Sequence, residues 1–114
     1  LPPGLVAAVR AMARAGRTTP FVVLLAGFAA LARRWSGQDD LVIGTPVEGR
    51  LEPGLERTVG LFINSLALRV DAGGEPGFGD FLARVDGGVR AAQAHQALPF
   101  EELVRQVPPR RSLA

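Results

Sequence analysis

The chain has no cysteine, no lysine and no tyrosine, and among its 114 residues only one histidine, one methionine and one tryptophan. Without cysteine there is no disulfide framework and no thiolate metal site. A single histidine, His95, likewise excludes a histidine-rich metal site. With arginine as the only basic residue, the sequence pI is 10.9 although the formal charge is just +2. Basicity alone therefore does not argue for nucleic acid: the arginines are dispersed, and the aromatics sit in apolar runs instead of alternating with basic residues as a base-stacking surface requires. The longest apolar run, Pro20 to Ala32, is shorter than the roughly 18 to 20 residues that span a bilayer, so it is expected to be a core helix and no membrane partner is expected. The N-terminus, Leu1-Pro2-Pro3, carries no charged leader and no cleavage site, and a cytoplasmic setting is the expectation.

What is present is ordinary folding material, 47% hydrophobic and 21% charged, in a length that suits one domain. Leu5, Val6, Val9, Met12 and Ala13 recur at helical spacing, with Arg10, Arg14 and Arg17 on another face, predicting a half-buried helix over residues 4–15. Gly16 is expected to end it in a left-handed conformation. Thr19 as N-cap and Pro20 in the first turn open a second helix, expected to reach Trp35 with Gly37 as terminator. This helix is apolar nearly all round, so coverage on several sides is expected.

Leu41-Val42-Ile43, between Asp39-Asp40 and Gly44-Thr45-Pro46, reads as a short strand buried on both faces. Residues 48–60 hold Gly49, Pro53, Gly54 and Gly60 and predict a loop with at most a short helix near Pro53 to Arg57. A second strand is predicted over Leu61 to Val70, with Phe62, Asn64, Leu66, Leu68 and Val70 on one face. Phe78, Phe81, Leu82, Val85, Val89 and Ala92 fit a long amphipathic helix reaching His95 or Gln96, in which Gly87-Gly88 costs about 1 kcal/mol per glycine. Leu98-Pro99 breaks it, and a last helix is predicted from Pro99 to Val107. The order is α-α-β-(short α)-β-α-α, an α/β (α+β) arrangement whose sheet is incomplete within the chain: a strand buried on both faces needs neighbours on both edges. Residues 1–109 form the domain and 110–114 a loose tail.

Three segments, in order, carry a resemblance. They are Gln38-Asp39-Asp40-Leu41-Val42-Ile43-Gly44-Thr45-Pro46-Val47-Glu48-Gly49-Arg50, then Val59-Gly60-Leu61-Phe62-Ile63-Asn64-Ser65-Leu66-Ala67-Leu68-Arg69, then His95-Gln96-Ala97-Leu98-Pro99-Phe100-Glu101. They resemble the fourth, fifth and sixth core motifs of condensation domains of nonribosomal peptide synthetases. Departures exist at Glu48, where the family has a small residue, at Ser65, which replaces Thr, and at Ala97, which replaces an acid; Arg110 to Leu113 only faintly echoes the seventh motif. The resemblance implies part of the C-terminal half of a chloramphenicol-acetyltransferase-like sandwich. It also implies amide formation in a tunnel between two halves, from donor and acceptor thioesters held on the phosphopantetheine of peptidyl carrier proteins, with an adenylation domain adjacent and no cofactor bound directly. The family's His-His-x-x-x-Asp-Gly motif is not among these residues.

No other constellation replaces that motif. His95, at a helix end, reads as structural, and Glu101 and Glu102 read as first-turn helix charges rather than an acid/base pair. Asn64, Ser65 and Thr45 are the candidates for the tunnel wall. Asn64, flanked by Phe62 and Leu66 on a face expected to be buried, must find partners; a structural bond to a neighbouring loop and contact with a substrate amide or pantetheine both satisfy it. Thr45 also reads as a cap of the strand exit, and Arg50 as a partner of Glu48, Glu52 or Asp40. Gly44, Pro46, Gly60, Phe62, Gln96, Pro99 and Phe100 are read as structural residues of the motifs. The leading expectation is a segment of an amide-forming enzyme, inactive by itself; the alternative is a non-catalytic domain that docks partner proteins. Open sheet edges make self-association a further expectation.

Overall fold

The computed structural model describes residues 1–48, 53–60 and 63–107. Helix α1, Pro3–Ala15, starts on a proline whose missing N–H costs nothing in a first turn. Helix α2, Pro20–Ser36, is capped as the sequence predicts: the Thr19 hydroxyl accepts from the Val22 amide at 3.3 Å, and Gly37 closes the helix at φ 70°. Gly16 does not take the left-handed conformation expected of it. Its φ is −83°, and the positive φ falls on Arg17 at 51°. A Cβ there would lie 3.0 Å from Leu82 Cδ2, so the leucine would have to give by a few tenths of an ångström. The helices meet at 103°, and no single helix among the described residues is long and apolar enough to cross a membrane.

Strand β1, Asp40–Glu48, pairs antiparallel with β2, Ile63–Asp71, in a two-stranded sheet whose register runs from Asp40 opposite Asp71 to Glu48 opposite Ile63. A single 3-10 turn, Leu55–Arg57, lies in the connection. Helix α3, Phe78–Ala94, runs through Gly87 and Gly88, the latter with its Cβ position 3.5 Å from the Arg69 carbonyl of β2. Helix α4, Phe100–Gln106, follows the break at Leu98-Pro99, with Pro99 as its N-cap and not its first residue. The tail predicted over 110–114 lies outside the described residues.

β1 corrects the sequence reading twice. It extends through Gly44-Thr45-Pro46, and it is covered on one face only: Leu41 is buried while Val42 is 70% exposed. The helices all pack on one side of the sheet. Val22, Val23, Leu25, Ala26 and Ala29 of α2 and Phe81, Leu82, Val85 and Val89 of α3 close over Leu41, Leu66, Leu68 and Val70. The opposite face, with Val42, Gly44, Pro46, Ile63 and Ser65, meets solvent. The expected coverage of α2 on several sides is not met either, because Phe21, Leu24, Phe28 and Leu31 stay exposed and Trp35 is 81% exposed.

Two polar fastenings hold the layer. Asp86 of α3 accepts the Thr18 hydroxyl at 2.5 Å and Arg90 Nε at 2.7 Å, and so ties the α1–α2 corner to α3. Arg84 donates to the carbonyls of Asp71 and Gly73, both at 2.9 Å, and fixes the exit of β2.

Candidate functional site

The three sequence segments converge at one end of the sheet. Val47 of the first stands opposite Asn64 of the second in the β ladder. Asn64, half-buried on the helix-covered face, reaches the third. Its Nδ2 donates to the carbonyls of Gln96 at 3.0 Å and Leu98 at 2.8 Å, and its Oδ1 accepts the Phe100 amide at 3.1 Å. A carboxamide has two N–H donors and one oxygen, so both donors are engaged within the chain. The sequence left open a structural bond or a substrate contact; the observed partners are backbone groups 32 to 36 residues away.

The other candidates separate. Thr45, opposite Leu66, lies on the covered face, where Phe21, Leu68, Val89 and Gln93 join it around a cavity of about 190 Å³. Ser65, opposite Pro46, is exposed on the bare face with Gly44. Asn64 and Thr45 thus share a side of the sheet that Ser65 does not. Gly60 is exposed in the bend before β2, while Arg50 and Phe62 lie outside the described residues. His95 is the exposed C-cap of α3, its carbonyl accepting the Leu98 amide at 3.1 Å, and Gln96 and Pro99 complete the turn into α4. Glu101 and Glu102 occupy the first turn of α4 as expected; Glu102 is engaged by Arg105 at 2.8 Å and Gln106 at 2.9 Å.

Charge gathers at the other end of the strands. Arg69 grips Asp40 with two bonds of 2.9 and 2.8 Å, and its guanidinium holds the Asp40 carboxyl below the usual carboxylate range. Arg33 bonds Asp39 at 2.6 Å, which raises the guanidinium pKa. Sequence reasoning missed Arg69 as the partner of Asp40, a pairing that the alternation of β2 alone does not reveal. No group of three metal-ligating side chains occurs among the described residues. The assembly offers a shaped wall with a small apolar cleft and one polar clamp, built from all three segments.

Comparison with known proteins agrees with the segments. A family model described as "Condensation domain" matches residues 1–114. A linear gramicidin synthase polypeptide of Brevibacillus parabrevis is 46% identical over 114 residues, covering 100% of this chain and 2% of that protein. Phosphinothricin tripeptide synthetase PhsC of Streptomyces viridochromogenes is 49% identical over 115 residues, covering 99% of this chain and 10% of that protein. Among solved structures, the first condensation domain of the calcium-dependent antibiotic synthetase, in complex with a substrate analogue, superposes with a TM-score of 0.89 at 28% identity. That match covers 98% of this chain and 26% of the solved chain. The chain thus spans a small part of the synthetases it matches and about a quarter of the solved domain.

Proposed function

Because this chain belongs to the condensation-domain family, we propose that it supplies one wall of a channel in which a nonribosomal peptide synthetase joins two carrier-bound substrates. The acceptor amine nitrogen attacks the donor thioester carbonyl, a C–N bond forms, the C–S bond breaks, and the thiol leaves on the donor carrier as the amine gives up its proton. The remainder of the condensation domain supplies the base for that proton. These 114 residues hold one histidine, and it lies exposed at a helix end. The substrates arrive on phosphopantetheine arms of carrier proteins, and an adjacent adenylation domain loads them.

The observation that carries this reading is the family match along the whole chain. The bare sheet face agrees with it, since apolar surface rimmed by polar residues marks an interaction site, and the rest of the domain is the proposed occupant. The test is reconstitution of the intact domain containing this segment with loaded donor and acceptor carriers. An amide product detected by mass spectrometry from the intact domain, and none from the 114 residues alone, is the expected result. Carrier capture without any amide would replace catalysis with docking.

A further inference from the structure

We infer that Asn64 is a positioning residue: it fastens the turn between α3 and α4 to the end of β2 and shapes the channel wall through that turn, without touching substrate. This rests on the condensation reading above. The carboxamide has no N–H to spare, since both are spent on the Gln96 and Leu98 carbonyls at 3.0 and 2.8 Å. Its oxygen serves a third purpose. Helix α4 begins after Pro99, which provides no side-chain cap, and the Phe100 amide at the helix start has no partner within the helix. Asn64 Oδ1 accepts that amide at 3.1 Å from across the molecule. One side chain thus caps a helix 36 residues away and holds two carbonyls of the turn before it.

No other residue type repeats this. Aspartate keeps the oxygen for the Phe100 amide but sets a carboxylate against two carbonyl oxygens. Serine and threonine carry one hydroxyl donor and do not reach three backbone groups, and glutamine is longer by a methylene. The bond set also joins the second and third motif segments, so a change at Asn64 moves Gln96, Leu98 and Phe100 together.

The experiment uses the intact domain and two variants, Asn64→Ala and the near-isosteric Asn64→Asp, read without substrate and during turnover. Without substrate, hydrogen exchange at the Phe100 amide should accelerate about 10- to 100-fold in Asn64→Ala, while the Leu68 and Val85 amides in β2 and α3 keep their protection. Asn64→Asp, which retains the acceptor but sets a carboxylate against the Gln96 and Leu98 carbonyls, should accelerate Phe100 exchange less than Asn64→Ala does. During turnover both variants should lower kcat on the order of tenfold or more, by the same factor for acceptors of different side chain, with KM for the carriers unchanged. Unaltered Phe100 exchange in Asn64→Ala overturns the clamp. A loosened turn with unchanged kcat reduces Asn64 to a structural residue and overturns the positioning role. A loss of rate that varies with the acceptor side chain assigns Asn64 to the substrate instead. If the unaltered domain forms no amide, the condensation reading falls and the positioning role with it, whereas the exchange result still judges the clamp.

Discussion

Removing the Asp86 carboxylate measures how firmly the α1–α2 corner is held on α3. The Thr18 bond at 2.5 Å is a short charge-assisted contact, and Asp86 is only 21% exposed; bonds of this kind to a charged group contribute about 1.5 to 3 kcal/mol. The Arg90 bond is an i, i+4 pair whose guanidinium is 66% exposed, and such pairs contribute about 0.3 to 0.5 kcal/mol. Asp86→Ala should therefore cost about 2 kcal/mol, most of it through Thr18. Thr18→Val, which deletes the hydroxyl and keeps the shape, should cost nearly as much, and the double variant barely more than either single one. The coupling energy from the cycle is expected near 1 to 2 kcal/mol. In urea unfolding, with a slope of about 1 to 3 kcal/mol per molar, this appears as a midpoint shift of about 1 M. The pH dependence carries its own sign. The Thr18 hydroxyl, and after it the Arg90 guanidinium, lower the Asp86 pKa against the opposing effect of burial. A carboxyl depressed in the folded state contributes fully above its ordinary value near 3.9, and the contribution disappears as pH falls through the lower folded value. The gap between the unaltered protein and Asp86→Ala should narrow below about pH 4. Additive single variants, or a gap that stays constant through that range, would refute the reasoning.

Two further outcomes follow from packing and backbone. Leu68 of β2, 2% exposed in the core cluster that the sheet shares with α2 and α3, should cost about 2 to 5 kcal/mol when changed to Ala, seen as a lower urea midpoint at an unchanged slope. The glycines divide by conformation in thermal melts. Gly87, inside α3 with nothing within 4 Å of a Cβ, should gain about 0.5 to 1 kcal/mol as Ala, whereas Gly37 at φ 70° should lose about 1 kcal/mol.

The parts of the fold written in local chemistry were legible. Thr19, Pro20 and Gly37 fix the ends of α2 because a hydroxyl cap, a proline in the first turn and a left-handed glycine each act within a few residues. The period of Phe81, Leu82, Val85 and Val89 gives the buried face of α3 for the same reason. What depends on distant parts of the chain was not legible. Gly44-Thr45-Pro46 reads as a break, yet β1 continues because Ala67, Leu66 and Ser65 stand opposite and supply a ladder. Val42 reads as buried because its apolar neighbours do, but a strand with one covered face exposes every second residue. Gly16 ends α1 as a terminator should but without a left-handed turn, and its close approach to Leu82 is set by a part of the chain far away in sequence. Of the site, the need of Asn64 for partners was foreseeable, but their identity was not, since three backbone groups in a turn leave no signature in side-chain pattern.

The apolar side chains left exposed on the sheet and on α2 have a calorimetric consequence. Unfolding raises heat capacity in proportion to the apolar surface newly hydrated, by about 12 to 15 cal/mol/K per residue in compact domains. A chain whose sheet and second helix keep one apolar side wet in the native state has already hydrated that side, so its value per residue should fall below this range. Its stability curve should accordingly be flatter with temperature than that of a compact chain with the same melting enthalpy and midpoint.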